Sequence, residues 1–227
     1  MALRKSSMKR GNSRSNMTAL ETRQQILKSD DFVMSELRRL QRLFELKGVI
    51  RYGEKRTEAT NPESVAEHVF GMHVLFSYFW PLENPEQDWD EAKMRTMITY
   101  HDIEEVITGD TVGYLKTATH KAQGEKALEK ILTEIPASLA LAITDPLGEY
   151  EARKSQEALF VKAIDKIEPV VHVCNPEGKE LLHRMGTTIS QHHSIKLPYF
   201  EPFPVIRRFY DVVIDYMDQE GFFVPEA

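Results

Sequence analysis

The 227-residue chain has one cysteine, Cys174, so it has no second thiol with which to close a disulfide. That excludes an intramolecular disulfide framework and fits a reducing compartment. The thiol ends an apolar run, Val170-Val171-His172-Val173-Cys174, and reads as buried and inert rather than nucleophilic. No apolar stretch approaches the roughly 18 residues that cross a bilayer, so no membrane span is expected. The first sixteen residues lack acids and lack the apolar core of a secretory signal. They carry Arg4, Lys5, Lys9, Arg10 and Arg14, and residues 1–17 read as a disordered basic tail. An organelle-targeting peptide or a nucleic-acid-touching arm is the alternative use of such a segment. A cytoplasmic location is the expectation.

Cationic excess is also missing. Lys and Arg total 29 against 35 Asp and Glu, a net charge of −6. This argues against specific nucleic-acid binding by the body of the protein. It leaves room for a small anionic substrate held by a metal and one or two arginines. Strand-like alternation never persists beyond four or five residues, and no repeat is present.

What remains is helical periodicity. The length suits one domain, expected over 18–227, with a core that needs no staple. Asp30-Asp31 can cap a helix to about Leu46, with Val33, Leu37, Leu40, Leu43 and Phe44 on one face. Residues 48–63 read as a basic loop. A helix capped by Asn61 or Ser64 should run to Phe79 and stop at Pro81. Another should run from the cap Asp90 to about Ile107, with Gly109 just past its end. Further helices are expected at 119–134, 137–144, 152–174, 177–193 and 203–219, broken at prolines that include Pro136, Pro146, Pro176 and Pro198. The fold class is all-α, a compact helical bundle whose sites are built from facing helices.

Within that pattern, Tyr100-His101-Asp102-Ile103-Glu104-Glu105-Val106-Ile107-Thr108-Gly109-Asp110 concentrates proton- and metal-capable groups. On a helix, His101 and Glu105 share a face, and Met94, Met97 and Ile98 place that face inward. His68 lies among Val65, Met72, Leu75 and Phe79. Asp165 lies in the most apolar run of the chain, Ala158 to Ile167. Buried imidazoles and carboxylates are costly without partners, and a divalent cation satisfies several at once. Two His and two Asp form a mixed N/O set suited to Mn, Co, Fe, Ni or Zn. His192-His193 reads as the C-terminal end of a helix, and Glu104 as facing away from Glu105.

Ser64-Val65-Ala66-Glu67-His68, the His101-to-Asp110 segment and Asp165-Lys166-Ile167 resemble the HD-domain metal-dependent phosphohydrolases, most closely their 5′-deoxynucleotidase branch. The resemblance spans roughly residues 36–190. It implies an HD-domain bundle in which His68, His101, Asp102 and Asp165 hold one divalent metal ion. It implies that Glu105 orients or deprotonates the attacking water and that Asp110 is a second catalytic carboxylate. Arg51 matches an arginine that contacts substrate phosphate, with Arg56 as a competing phosphate ligand. Tyr52 stands where bacterial members have a tryptophan that crowds the ribose 2′ position. The implied reaction is hydrolysis of (deoxy)ribonucleoside 5′-monophosphates to nucleoside and phosphate. Alternatives are another HD-domain phosphohydrolase (a phosphodiesterase or nucleotide pyrophosphohydrolase) or a non-catalytic metal- or nucleotide-binding module. The second of these is expected to lack Glu105 or Asp110, and both are present. A homodimer is expected, from the resemblance and from the aromatic C-terminal region containing Tyr199, Phe200, Phe203, Phe209, Tyr210, Phe222 and Phe223.

Overall fold

The computed structural model describes residues 17–226 apart from 54, 85 and 87. The basic stretch at 1–16 lies outside the described residues, so the expectation of a disordered tail falls there. The helices are α1 (Ala19–Ile26), α2 (Asp30–Phe44), α3 (Val65–Glu83), α4 (Glu91–Tyr100), α5 (Glu105–Thr108), α6 (Ala118–Glu134), α7 (Ala137–Ala152), α8 (Gln156–Val173), α9 (Pro176–Arg184), α10 (Ile189–Phe200) and α11 (Pro204–Gln219). Short 3-10 turns occupy Glu45–Gly48, Arg51–Gly53 and Gly113–Leu115. Among the described residues the only β pairing is an isolated antiparallel bridge, Ile50 to Ser64. The all-α class therefore holds. No helix among them is long and apolar enough to cross a membrane.

Helix α8 is the axis of the molecule. It packs against α3, α4, α7, α9, α10 and α11. Its buried residues run from Ala158 to Val173 and include Phe160, Val161, Ile164, Ile167 and Val170. A helix apolar on most sides belongs inside a bundle, where neighbours cover each face. Asp165 and Glu168 interrupt that face at i and i+3, so both carboxylates leave the helix on one side, in the core.

Several boundaries differ from the sequence reading, for identifiable reasons. Pro81 and Pro198 were expected to stop helices, yet each lies inside one, in its last turn. There the missing N–H and the ring clash affect a single turn. Pro146 lies inside α7, which continues because Leu147 and Tyr150 beyond it are buried. The expected helix 177–193 is two, α9 and α10, joined at Gly186 with φ +64°. His192 and His193 therefore lie near the start of α10, not at a C-terminus. Helix α1, capped by Thr18 in a reciprocal box with Glu21, was not anticipated.

The C-terminal aromatics are core, not spare surface. Phe200, Phe203, Tyr210, Phe222 and Phe223 are all buried. Tyr199 and Phe209 are half-buried and Val212 and Tyr216 on α11 are exposed, so the apolar surface there is smaller than the aromatic count suggests. Exposed large apolar side chains lie on α1 and just after it (Leu20, Ile26, Leu27), on α2 (Val33, Met34, Leu37, Leu40, Phe44) and on α3 (Phe70, Val74, Tyr78, Leu82). Cys174 is half-buried, with its thiol pushed up by burial.

Candidate metal centre and cleft

Two capped helices aim the first ligand candidates. Ser64 accepts from the Glu67 amide, and the Glu67 carboxylate accepts from the Ser64 amide at 2.6 Å. This reciprocal box fixes the first turn of α3 and leaves His68 facing inward, fully buried between Val65 and Met72. Asp90 caps α4 by accepting from the Lys93 amide. That helix ends at Tyr100, short of the expected Ile107. From His101 to Glu104 the chain tightens, with Ile103 N donating to Tyr100 O and Glu105 N to Asp102 O. Such i-to-i+3 bonds stack side chains three apart. Glu105 therefore still shares a side with Asp102, although no continuous helix carries them.

The two imidazoles meet edge to face with centroids 5.5 Å apart. His68 Nδ1 lies 2.6 Å from Glu168 Oε2, and His101 Nδ1 lies 3.0 Å from the Ile98 carbonyl. An ionised carboxylate and a carbonyl only accept, so in the neutral rings both protons sit on Nδ1. Both Nε2 atoms are buried and have no hydrogen-bond partner. His68 Nε2 is 3.4 Å from Asp165 Oδ1, and His101 Nε2 is 3.0 Å from Asp102 Oδ2, without hydrogen-bond geometry. The donor atoms of His68, His101 and Asp102 all lie within 4.8 Å of one another. Asp165 adjoins this trio through His68. Its other oxygen is drawn toward Lys166 at 2.9 Å, Lys162 at 3.1 Å and the Tyr150 hydroxyl at 3.1 Å. Orphaned imidazole lone pairs beside carboxylate oxygens fit a first-row divalent cation.

The electrostatics agree with close packing of charge. Burial opposes ionisation of Asp102, but its neighbour His101 holds its carboxyl far below the usual range. Burial also opposes ionisation of Asp165, and Lys166 and Lys162 overcome it. Burial and Arg51 depress His68, yet the carboxylates of Asp165 and Glu168 leave its pKa raised.

These groups open onto a cleft of about 720 Å³ lined by Arg51, Tyr52, Glu104, Glu105, Asp110 and Lys116, among others. A volume of that order suits a small ligand. Glu105 is almost fully buried, and its Oε2 has no partner. Burial, then Asp102 and Asp110, push its carboxyl well above the ordinary value. Lys116 Nζ stands 3.7 Å from its Oε1. Glu104 does not face away: it lines the cleft, and burial followed by Asp102 pushes it up to about 8. Asp110 accepts from the Tyr52 amide at 2.5 Å. This ties the end of α5 to the Arg51–Gly53 turn, where Tyr52 holds a left-handed φ of +67°.

Arg51 reaches the cleft wall, but its Nη1 is 2.5 Å from Glu63 Oε1 and 3.5 Å from Glu168 Oε2. Glu63, His68 and Glu168 also meet the geometry of a cation trio. That place is filled by the Arg51 guanidinium, so the cation there is organic. Arg56 is a correction: it pairs with Glu67 on the surface and does not line the cleft. Glu63, Glu168, Tyr150 and Lys162 escaped sequence reading. Glu168 alone left a signal, a second acid three residues after Asp165 in an apolar helix.

A family profile described as an HD domain matches residues 43–206. Mouse 5′-deoxynucleotidase HDDC2 is 28% identical over 147 residues, covering 63% of this chain and 71% of that protein. The Dictyostelium discoideum HDDC2 is 32% identical over 132 residues, 56% of this chain and 70% of its own. The crystal structure of a protein described as a predicted metal-dependent phosphohydrolase, from Magnetospirillum magnetotacticum, superposes with a TM-score of 0.72 at 21% identity. It covers 85% of this chain and 96% of that one, a likeness of fold. With the profile spanning most of its length and the histidines and aspartates of the motif gathered at one cleft, the chain belongs to the HD-domain family.

Proposed function

We propose that the protein is a divalent-metal-dependent phosphohydrolase, and specifically a 5′-nucleotidase acting on (deoxy)ribonucleoside 5′-monophosphates. The observation that carries this reading is the pair of buried, unpartnered Nε2 atoms converging with Asp102 at the floor of a polar cleft. His68, His101, Asp102 and Asp165 would hold the cation. When bound, it supplies Lewis acidity, drawing charge from phosphoryl oxygens and acidifying water. Glu105 is placed to take the proton of the attacking water through its free Oε2; burial, Asp102 and Asp110 raise its proton affinity, and Lys116 draws it back toward the carboxylate form a base needs. Asp110, held by the Tyr52 amide, stands ready to assist water activation or leaving-group protonation. Arg51 binds the phosphate, a role its always-charged guanidinium suits.

A nucleoside is favoured over other phosphate esters by a second hollow of about 110 Å³ beside Arg51, Tyr52 and Lys166. Its apolar lining includes Val112, Val173, Leu182 and Met185, a seat for a base. The 5′-deoxynucleotidase relatives support the same substrate class. The test is a phosphate-release screen of ribo- and deoxyribonucleoside monophosphates with Mn, Co, Fe, Ni and Zn, with Asp102→Ala and Glu105→Ala as controls. Metal-dependent release that both substitutions abolish is expected. Wild-type activity in Glu105→Ala would end this mechanism.

A further inference from the structure

We propose that Glu168 is a positioning residue that holds His68 in its Nδ1–H form and anchors Arg51 with the same carboxylate oxygen. The proposal rests on the reading above, in which His68 binds the cation and Arg51 the phosphate. Three observations carry it.

First, one helix clamps both nitrogens of one ring. Asp165 Oδ1 is 3.4 Å from His68 Nε2, and Glu168 Oε2, from the next turn of α8, is 2.6 Å from Nδ1. A neutral imidazole has two tautomers, and only the one with a bare Nε2 can ligate from that side. A carboxylate that accepts from Nδ1 selects it, as outer-shell acids do at many metal-bound histidines. Without Glu168, the proton can move to Nε2 and lean on Asp165, which blocks the lone pair.

Second, the fold makes room for this carboxylate. Gly71 lies on α3, three residues after His68, and a Cβ there would stand 2.4 Å from Glu168 Oε1. The helix does not need glycine for its backbone, since Gly71 is not among the positive-φ residues. Mid-helix glycine costs about 1 kcal/mol against alanine. The space above Gly71 is occupied by the Glu168 side chain.

Third, Arg51 Nη1 is 3.5 Å from the same Oε2 that meets His68. A ligand and a phosphate-binding side chain are thus set by one group, and Glu63 Oε1 meets the same Arg51 nitrogen at 2.5 Å.

The experiment compares Gly71→Ala, Glu168→Ala and Glu168→Gln with wild type. Titration of metal-free protein with Mn²⁺ or Co²⁺ measures affinity. Long-range ¹H–¹⁵N spectra of metal-free protein, recorded at a pH high enough for the ring to be neutral, report the His68 tautomer, thermal melts report folding, and calorimetry with inorganic phosphate on metal-saturated protein reports Arg51. Gly71→Ala keeps every polar side chain and gains helix propensity, so a merely structural Glu168 predicts unchanged metal affinity. The proposal predicts a protein that still melts cooperatively, metal affinity down about 10–100-fold, and a mixed His68 tautomer. Glu168→Ala behaves alike and also weakens phosphate binding. Glu168→Gln, which still offers an acceptor oxygen, recovers part of the tautomer. Wild-type metal affinity and a pure Nδ1–H tautomer in both alanine variants overturn the proposal. If Gly71→Ala does not fold, the two Glu168 variants decide. If wild type itself binds no divalent metal, the proposed function falls, while the tautomer spectra still judge the hold of Glu168 on His68.

Discussion

The two walls of the centre are built differently. On the α3–α8 wall, His68, Asp165, Glu168, Glu63 and Arg51 are buried and interlocked through pairs of 2.5 to 3.5 Å. On the opposite wall, residues 101–104 leave regular helix before the single turn of α5, and four carboxylates, Asp102, Glu104, Glu105 and Asp110, line the cleft, with Glu105 Oε2 unpartnered. The first wall spends most of its polar capacity on itself, apart from the unpartnered His68 Nε2 and Arg51 Nε. The second leaves capacity unspent where a ligand can use it. Ligand geometry draws on both walls, through His68 and Asp165 on one and His101 and Asp102 on the other, while proton transfer needs the capacity left open on the second.

Substitutions can break that division. The largest effect is expected from Asp102→Ala, which removes a member of the trio: metal binding, followed by calorimetry, and phosphate release should both vanish. Glu105→Gln should bind metal as wild type does yet lose about 10²–10⁴ in kcat. If it also loses the metal, Glu105 itself is part of the ligand shell and its separation from the ligands collapses. Arg51→Met tests the closed wall. It leaves Glu63 and Glu168 with less compensation, so denaturant melts should show a loss of about 3–5 kcal/mol, and KM should rise about 10–100-fold. An unchanged melting curve would mean the buried pairs carry no stability.

The smallest expected effect sharpens the comparison through pH. Lys196 is buried, donates to the Lys166 carbonyl at 2.8 Å, and is lowered to about 7 by burial and by Lys166. Between pH 7 and its unfolded value near 10.4, the unfolded chain binds more protons at this site, so its contribution to stability rises with pH. Lys196→Met should therefore raise the melting temperature most at pH 6, with the gain shrinking toward pH 10. A gain independent of pH would show that packing, not charge, is responsible.

Much of the site was legible because its residue types are rare where they stand. A histidine among Val65, Met72 and Phe79, and an aspartate inside the apolar run of α8, announce partners from sequence alone. The caps at Ser64 and Asp90 were equally plain, being local side-chain-to-backbone contacts. Glu63 and Glu168 were not legible, because a glutamate becomes a buried partner only when another helix brings a cation or imidazole to it. Arg56 failed for the same reason in reverse: Glu67 on the neighbouring turn claims it at the surface. The C-terminal aromatics looked surplus because the α3 and α8 faces that bury them lie far away in sequence.

By itself the sequence determined the all-α class, most helix starts and the identity of the ligand candidates. These follow from periodicity, capping and the cost of isolated polar groups in apolar runs, all readable within about two helical turns. Only the tertiary structure decided the pairing of Glu168 with His68, the notch at Gly71, the tight turn at 101–104 and the turning of Glu104 into the cleft. Each depends on what a distant segment places opposite, and contact across the bundle sets it rather than local propensity.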